Sequence, residues 1–565
     1  MRYFHADGCA INMANMLKYL ADHVFKFGYG YDPAIGRPDH GLYHPRFATA
    51  EETASYLQDC TSTTAAGRKR PTVAVIFYRC HYLSGNTAFV DALLDELEAL
   101  GVNGIGVFTE TLRAHEPVSN VNGHSVKRFP TALMHVLDAS TGACLVDVLI
   151  SSMAFAMGEV NPDGPTLGNW SAEGLQALDV PVLQVINSVG SFEAWKESSR
   201  GLSPLDTAMN VAIPEFDGKI ITLPVSFVAP MDETNTVQYY EPVADRLAQV
   251  AKQASKLATL RLKIPQEKRV AFMLTNSSGK AERIGDAVGL DTPASMINLF
   301  EAMKASGYDF GKEDDFPKDG DSLIQKLVDR CSYDEIYLTE HQLAHAAGRV
   351  PAERYKHMFA DLPQKQRDHM VEQWGEPPGE AYVHSNAIAL AGLEFGNIFV
   401  ALQPPRGYGM DPDKIYHTPD LPPPHNYYAL YRWLRDDWKA DAIVHMGKHG
   451  TMEWLPGKGV GLSGECYPDT FLDDMPLIYP FIINDPGEGM QSKRRAHSVI
   501  IDHLTPPMTT ADGYGELAQL MQLVDQYYQI EMLDPTKLPL IQKQILQLIK
   551  KINLDEGQAM ILSVC

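Results

Sequence analysis

The chain has 565 residues, of which 45% are hydrophobic and 21% charged, and its formal net charge is -23 at pH 7. This composition is typical of a globular protein with several domains of about 100 to 200 residues each. The acidic balance argues against nonspecific nucleic-acid binding, which needs basic side chains to neutralise phosphates. The sequence has no run of about 18 apolar residues and no signal-peptide pattern at Met1, so we expect a cytoplasmic protein without a membrane span.

Residues 71–265 predict a first α/β domain, because short apolar strands alternate with helical patterns such as Phe89–Leu100. This alternation is typical of a parallel, helix-covered sheet. Apolar residues at helical spacing after Val243 predict an amphipathic helix that links this domain to a second region. The predicted strands are Val73–Tyr78, Gly104–Thr109, Leu145–Ser151 and Val180–Asn187.

The rest of the chain divides around this domain. Residues 1–70 predict a separate N-terminal segment, and residues 266–565 predict a second α/β region whose first strand begins at Arg269. Two charged stretches rich in proline and glycine, 311–325 and 361–380, predict loops or a peripheral insertion. The predicted fold is therefore a multidomain α/β protein with parallel, helix-covered sheets and an active cleft between domains.

A loop rich in reactive side chains follows a short apolar strand, Ala442–Val444, which a helix beginning near Asn426 precedes. Glycines and a proline forbid a continuous helix after the strand, so the polar groups lie where the strand ends. In open α/β sheets, ligands bind at that end of the strands. The loop reads His445-Met-Gly-Lys-His-Gly-Thr-Met-Glu-Trp-Leu-Pro-Gly-Lys458.

Two imidazoles and a carboxylate in this loop are candidates for metal and proton chemistry. His445, His449 and Glu453 are spaced four residues apart and converge if the loop folds back over the strand end. We assign Glu453 as the leading base or metal-relay carboxylate, and the histidines as bases or transient ligands of a divalent metal. Imidazole suits cobalt, whereas magnesium prefers oxygen ligands. The alternative is that one histidine only hydrogen-bonds the loop backbone.

The same loop, together with Asn484–Arg495 and Leu504–Pro507, resembles the large tetrapyrrole-binding subunit of aerobic cobaltochelatase, CobN, and its magnesium-chelatase relatives. The resemblance extends over nearly the whole chain. It includes the remote segments Phe77–Gly85, Ser198–Pro204 and Arg283–Ser295. Members of the family are longer at both ends, so we expect this chain to be a fragment.

The resemblance implies insertion of Co²⁺ into hydrogenobyrinic acid a,c-diamide in cobalamin biosynthesis. Lys448 and Trp454 match the cobalt enzymes, whereas threonine at position 448 is usual in the magnesium enzymes. The substrate carries carboxylates, so Lys448, Lys458 and Arg495 are expected to pair with its acidic arms. Solvated lysines are the alternative.

Three further residues are candidates for the substrate site. Glu488 is expected to face the same cleft as Glu453, or else to pair with Arg494 as an ordinary loop acid. Arg79 and His81 follow a predicted strand, and they bind substrate across a domain interface or have a structural role.

The sequence contains no Gly-x-x-x-x-Gly-Lys-Ser/Thr loop, so it has no Walker A motif, and we expect no appreciable ATP binding or hydrolysis by this chain. The resemblance implies that ATP and Mg²⁺ act on a separate AAA+ ATPase subunit, which works with a companion subunit that has an integrin-like domain. The seven cysteines form no Cys-x-x-Cys pair, which disfavours a zinc ribbon or an iron–sulfur cluster.

Three other functions remain open. Magnesium insertion into protoporphyrin IX by a magnesium chelatase of the same family is disfavoured by Lys448 and Trp454. A tetrapyrrole-binding module without turnover is compatible with a fragment. A zinc hydrolase is disfavoured, because His445-x-x-x-His449 lacks the internal glutamate of the zincin motif and Gly447 breaks the helix that motif needs.

Overall fold

The computed structural model of the protein describes residues 10–60, 69–160, 170–231, 238–276, 279–287, 290–312, 316–334, 338–408, 415, 418–481, 486–502, 519–520, 522–524, 526–527 and 537–551. The chain divides into two compact units, Met1–His503 and Leu504–Cys565. In the second unit the longest described element is the helix Leu538–Lys551. None of the helices within these ranges has the length and apolar character needed to cross a membrane.

A seven-stranded sheet forms the core of the first α/β region. The strands of this region are β1 (His40–Tyr43), β2 (Thr72–Tyr78), β3 (Asn103–Thr109), β4 (His115–Val121), β5 (His124–Pro130), β6 (Val148–Ser151), β7 (Glu159–Val160), β8 (Trp170–Ser171), β9 (Val182–Ser188), β10 (Ile220–Pro230) and β11 (Gln238–Pro242). The sheet order is β1-β3-β2-β6-β9-β10-β11. Its inner strands are parallel, and β1 and β11 pair antiparallel at the edges.

Helices cover this sheet on both faces. They are α1 (Ala10–Leu20), α2 (Ala50–Cys60), α3 (Arg79–Ser84), α4 (Ala88–Ala99), α5 (Glu173–Leu178), α6 (Phe192–Glu197), α7 (Pro204–Asp206), α8 (Ile213–Glu215) and α9 (Ala244–Leu262). The predicted strands and the linking helix α9 are confirmed, although β6 begins later than predicted. Strand β1 belongs to the predicted N-terminal segment, before residue 70, and pairs with β3 in this sheet.

The second α/β region is built on a six-stranded sheet. Its strands are β12 (Val270–Leu274), β13 (Gly348–Pro351), β14 (Val383–His384), β15 (Ala387–Leu390), β16 (Gly392–Phe395), β17 (Ile398–Leu402), β18 (Ala442–Met446), β19 (Leu477–Phe481) and β20 (Val499–Asp502). The six-stranded sheet has the order β16-β17-β12-β18-β19-β20, while β13, β15 and β14 form a small separate sheet. All neighbours in the larger sheet are parallel except β16 and β17.

The helices of the second region are α10 (Thr292–Ala305), α11 (Gly320–Arg330), α12 (Glu340–Ala344), α13 (Ala352–Ala360), α14 (Gln364–Trp374), α15 (His425–Asp436), α16 (Tyr467–Leu472) and α17 (Pro486–Arg495). The prediction of loops over 311–325 and 361–380 is wrong where α11 and α14 lie. In α14 the polar sequence hides a narrow buried stripe, Gln366, Met370 and Trp374, at a spacing of four residues.

The two large sheets share one topology. Among the parallel strands of each sheet, the first in the chain has the next one on one side and the later ones on the other, as in β3-β2-β6-β9-β10 and β17-β12-β18-β19-β20. This is the order of a doubly wound fold, in which ligands bind at the carboxyl ends of the strands beside the first one. In the second sheet that point lies between β12 and β18.

Candidate active site

The reactive loop begins at the carboxyl ends of β12 and β18 in the second sheet. Strand β18 ends at Met446, and the neighbouring β12 is followed by Thr275. The loop is tied to the next strand, β17, because the Thr451 N–H donates to Gln403 Oε1 over 3.0 Å. The Gln403 amide donates in turn to the buried hydroxyls of Tyr427 and Tyr431. Through Gln403, these hydrogen bonds to the end of β17 and to helix α15 therefore fix the position of the loop.

Glu453 is enclosed in this loop, with 0% of the residue exposed. The Tyr479 hydroxyl, on β19, donates to Glu453 Oε2 over 3.1 Å and accepts the Gly450 N–H at 3.0 Å. Burial raises the pKa of the Glu453 carboxyl to about 7, against the opposing effects of His449, Tyr479 and Arg495. A carboxyl with this pKa exchanges a proton near neutral pH, which is what a general base needs.

His445 lies below the loop and is 1% exposed. Its Nε2 is 2.8 Å from the Thr275 hydroxyl, and its ring stacks on Tyr479 with centroids 4.9 Å apart. A methyl group on Gly450 would come within 2.4 Å of the His445 ring, so only glycine fits above it. Burial lowers the pKa of His445 to about 3, which keeps the imidazole neutral. The ring is covered by Thr275, Tyr479 and Gly450, so it does not line the accessible surface of the loop.

His449 is the imidazole that remains accessible. Its Nε2 lies 3.2 Å from Glu488 Oε1, and its Nδ1 lies 3.9 Å from Glu453 Oε1. The same Nδ1 is within hydrogen-bond distance of the Gly450 carbonyl and of the Trp454 indole N–H. Nδ1 cannot donate to the Gly450 carbonyl and accept from the Trp454 N–H at the same time. The tautomer of His449 therefore decides which of these two hydrogen bonds forms. With Nε2–H donated to Glu488, Nδ1 accepts from Trp454.

Glu488 therefore faces the same site as Glu453, as the first of its two predicted alternatives states. The second alternative, a pair with Arg494, is wrong, because Arg494 binds Glu215 of the first region at 2.8 Å. Glu488 lies in the first turn of α17. This helix was not predicted from the sequence, because Pro-Gly-Glu-Gly is typical of a turn.

A cavity of about 220 Å³ opens beside His449. Its walls come from the second region alone. The predicted residues Lys448, His449 and Trp454 line it, and Trp454 is 37% exposed. Arg406, which follows the end of β17, also lines it and was not predicted. The remaining walls are Thr275, Gly450 and Thr451.

Two predicted substrate cations do not reach this cavity. The Lys458 ammonium donates to main-chain carbonyls of the first region, at Trp195, Lys196 and Ser198. The Arg495 guanidinium donates to the loop carbonyls of Glu453, Leu455 and Lys458. Both side chains are buried, at 8% exposure each. Their donors bind main-chain carbonyls and not groups that face the cavity.

Arg79 and His81 lie in the first region, on α3. The Arg79 guanidinium donates to the carbonyls of Arg37 and Pro38. The His81 ring packs edge-on between Phe89 and Tyr240, and burial lowers its pKa to about 4. These contacts favour the structural alternative for both residues.

No group of three histidine, cysteine or carboxylate side chains in the described part of the chain is arranged to hold a metal ion. The predicted set of His445, His449 and Glu453 is therefore not a preformed three-ligand centre. The accessible donors are the imidazole of His449 and the carboxylate of Glu488.

A sequence model described as CobN/Magnesium Chelatase matches residues 1–561. The chain belongs to this family. The catalytic subunit of cobaltochelatase from Mycobacterium tuberculosis is similar in structure, with a TM-score of 0.73 and 38% identity over 98% of this chain and 43% of that one. The mixed α/β, multidomain fold predicted from the sequence is thereby confirmed.

Two curated members of the CobN/magnesium chelatase family illustrate its range. The aerobic cobaltochelatase subunit CobN of Pseudomonas aeruginosa is 38% identical over 549 residues, which are 96% of this chain and 41% of that protein. A magnesium-chelatase subunit of Chlorobaculum parvum is 30% identical over 559 residues, which are 96% of this chain and 40% of that protein. This chain thus spans about two fifths of the length of the relatives it matches.

Sequence reasoning missed two site residues, Tyr479 and Arg406. Tyr479 lies in the middle of β19 and resembles any buried strand aromatic, so only the contact with Glu453 identifies it. The position of Arg406 in the sequence could have identified it as a site residue. It follows the apolar strand β17 by four positions, in the sequence Gln403-Pro-Pro-Arg406, at the same carboxyl edge of the sheet as the reactive loop.

Proposed function

We propose that this chain provides the tetrapyrrole-binding, catalytic part of an ATP-dependent cobaltochelatase. Co²⁺ replaces the inner N–H proton of a corrin precursor, hydrogenobyrinic acid a,c-diamide, in cobalamin biosynthesis. The observation that carries the proposal is the Glu453 carboxyl, fully buried and 3.9 Å from the accessible imidazole of His449. Its raised pKa suits it to accept a proton from a neutral macrocycle at neutral pH.

Two observations favour cobalt over magnesium. Identity to the named cobaltochelatase subunit is 38%, compared with 30% for the magnesium-chelatase subunit. The accessible donors pair an imidazole with a carboxylate, and an imidazole nitrogen binds Co²⁺ well but adds little for Mg²⁺, which prefers oxygen. Cobalt is the substrate metal in this proposal, and His449 and Glu488 hold it transiently.

A corrin binds metal as a monoanion, so the reaction releases one N–H proton for each cobalt ion inserted. Glu453 accepts this proton, because its carboxyl lies 3.9 Å from His449, which lines the cavity, and burial raises its pKa to about 7. Tyr479 keeps the Glu453 carboxylate in place by donating its hydroxyl proton in a hydrogen bond.

The cations at the cavity suit a substrate with acidic arms. Lys448 and Arg406 both line the cavity, and each pairs with a carboxylate of the macrocycle edge. The cavity holds about 220 Å³, so the macrocycle enters it by one edge and its remaining surface lies outside. The sequence has no Walker A loop, and the family resemblance implies that ATP with Mg²⁺ is hydrolysed on a separate AAA+ ATPase subunit, with a companion subunit that has an integrin-like domain.

The test compares Glu453→Gln with Glu465→Gln, a matched control at an exposed carboxylate whose side chain is 59% accessible. Each protein is mixed with the corrin precursor, Co²⁺, ATP and the partner subunits, and insertion is followed by absorbance. We expect Glu453→Gln to bind the precursor within about threefold of wild type but not to insert cobalt, because the amide keeps the shape and loses the base. The control inserts at the wild-type rate. Insertion by Glu453→Gln at that rate contradicts the proposal.

A further inference from the structure

The active-site loop continues into a contact with the first α/β region. We call this contact the seam and define it as residues 198–201 of the first region with residues 458–461 of the second. Gly201 and Val460 form a parallel β-bridge, and the Val460 N–H donates to the Arg200 carbonyl over 3.1 Å. The seam uses Ser198–Gly201 of the Ser198–Pro204 segment, which resembles the family and has no part in the proposed chemistry.

Lys458 anchors one end of the seam. Its ammonium donates at 2.7 Å to the Trp195 carbonyl, at 3.0 Å to that of Lys196 and at 2.7 Å to that of Ser198. These carbonyls lie at the carboxyl end of α6, where a positive charge also meets the negative end of the helix dipole. All three donors of the ammonium are thus used on the first region.

Arg495 connects the seam to the proposed catalytic carboxyl. Its Nε donates to the Lys458 carbonyl over 2.9 Å and its Nη2 to the Leu455 carbonyl over 2.7 Å. Its Nη1 donates to the main-chain carbonyl of Glu453 itself. A guanidinium holds three acceptors in a fixed plane, so these carbonyls keep a fixed spacing. An unbroken series of hydrogen bonds therefore runs from α6 to Glu453.

Helix α17 adds a second connection between the same parts. Arg494 in its last turn makes a two-point ion pair with Glu215 of the first region, at 3.0 and 2.8 Å. Glu488 in its first turn contacts His449. Contacts with the first region are therefore connected both to Glu453 and to the His449–Glu488 pair.

We propose that the first α/β region sets the position of Glu453 through the seam, with Lys458 and Arg495 as positioning residues. The inference rests on the proposed function for its catalytic consequence. It also has a structural consequence that is independent of that function, since loosening the seam loosens the loop. A partner that moves the first region would then switch the geometry of insertion.

Gly201 offers a sharp way to open the seam. It has a φ of +87°, and a methyl group added there would lie 1.9 Å from the Val460 carbonyl oxygen. Gly218, in the same region, has a φ of +73° and nothing within 4 Å of such a methyl group. Gly201→Ala therefore introduces both backbone strain and a steric clash with Val460, whereas Gly218→Ala introduces the backbone strain alone. Lys458→Met removes the three hydrogen bonds to the first region without adding a steric clash. Lys365→Met, at an exposed lysine, is its control.

The experiment measures amide hydrogen exchange over residues 447–460 in the full chain without ligand, then kcat and KM for cobalt insertion with the partner subunits. In Gly201→Ala and Lys458→Met we expect loop exchange to rise by at least about tenfold while exchange in β12 stays unchanged. We also expect kcat to fall by about 100-fold, with KM for the tetrapyrrole within about threefold, because the base is displaced while binding persists. Both controls should stay within about twofold of wild type.

Two results overturn the inference: loop exchange within twofold of wild type in Lys458→Met, or a normal kcat despite a loosened loop. If Gly201→Ala fails to fold, Lys458→Met decides alone. If the loop loosens but the wild-type chain inserts no cobalt with its partners, the seam is supported as a structural device and the proposed function is what fails.

Discussion

The Tyr479 hydroxyl donates to the Glu453 carboxyl over 3.1 Å, in a pocket where neither side chain meets solvent. Tyr479 also stacks on His445, so one aromatic ring holds the carboxyl and covers the buried imidazole. Burial dominates the electrostatics of this pair and moves the pKa of Glu453 to about 7. Under the proposed function, ionisation of this enclosed carboxyl makes both activity and stability depend on pH near 7.

The first prediction is that cobalt insertion rises with pH through about 7. Glu453 accepts a proton only when ionised, and its pKa of about 7 places that ionisation near neutrality. Tyr479→Phe removes a hydrogen bond that lowers this pKa, so the midpoint of the pH profile moves upward and kcat recovers at higher pH. The measurement is kcat against pH, with Tyr308→Phe as the control at a partly exposed tyrosine. An unmoved midpoint in Tyr479→Phe would show that another group sets the profile.

The second prediction concerns stability. The pKa of Glu453 rises from 4.5 in the unfolded reference to about 7 in the fold, so the folded state binds the proton more tightly. Below pH 4.5 both states are protonated and burial of the carboxyl costs little. As pH rises towards 7 the cost grows to about 3 kcal/mol, by the conversion of 1.36 kcal/mol per pKa unit. Glu453→Gln should therefore raise the melting temperature at pH 8 more than at pH 5, as measured by calorimetry.

The third prediction separates the two histidines. His445→Ala removes a fully buried ring and leaves the Thr275 hydroxyl without that partner, so it should lower the free energy of unfolding by about 2–4 kcal/mol. His449→Ala, at a partly exposed site, should cost less than about 1 kcal/mol. It should instead weaken cobalt capture, because it removes the accessible imidazole. Urea unfolding and Co²⁺ titration of both variants test this. Equal stability losses would contradict the assigned positions.

The fourth prediction concerns the substrate. Lys448 is exposed and lines the cavity. Lys448→Thr should raise KM for the acidic tetrapyrrole by about tenfold with little change in kcat. The reason is that the lost ion pair weakens binding of the substrate and of the transition state equally. The control is Lys252→Thr at an exposed lysine of α9. An unchanged KM for Lys448→Thr would place the acidic arms elsewhere.

The sequence predicted the site's location well because its signals are local. A β-branched run followed by glycines marks a strand end, and polar groups at the carboxyl edge of a parallel sheet converge whatever the rest of the chain does. Glu453, His449 and Lys448 were singled out in this way, whereas Trp454 was singled out by the family resemblance. The choice of the accessible histidine was not possible, because His445 and His449 differ only in which one the loop covers.

The sequence could not reveal roles that depend on distant partners. Arg495 and Lys458 are basic residues beside a binding motif, and that pattern favours substrate carboxylates as their partners. Their actual acceptors are main-chain carbonyls, which have no residue-specific signature. Helix α17 was missed for a related reason: its Gly487 and Gly489 disfavour a helix locally, while contacts from Arg494 and Glu488 stabilise it.

The most direct test of the proposed chemistry is metal insertion by the wild-type chain and Glu453→Gln, each with the partner subunits and ATP, using Co²⁺ with the corrin precursor and Mg²⁺ with protoporphyrin IX in parallel. If this chain alone is inactive, the same substitution is made in a longer chain that includes it. We expect cobalt insertion by the wild type, none by Glu453→Gln, and no magnesium insertion by either. Cobalt insertion by Glu453→Gln at the wild-type rate, or a wild-type preference for Mg²⁺ and protoporphyrin, would contradict this mechanism.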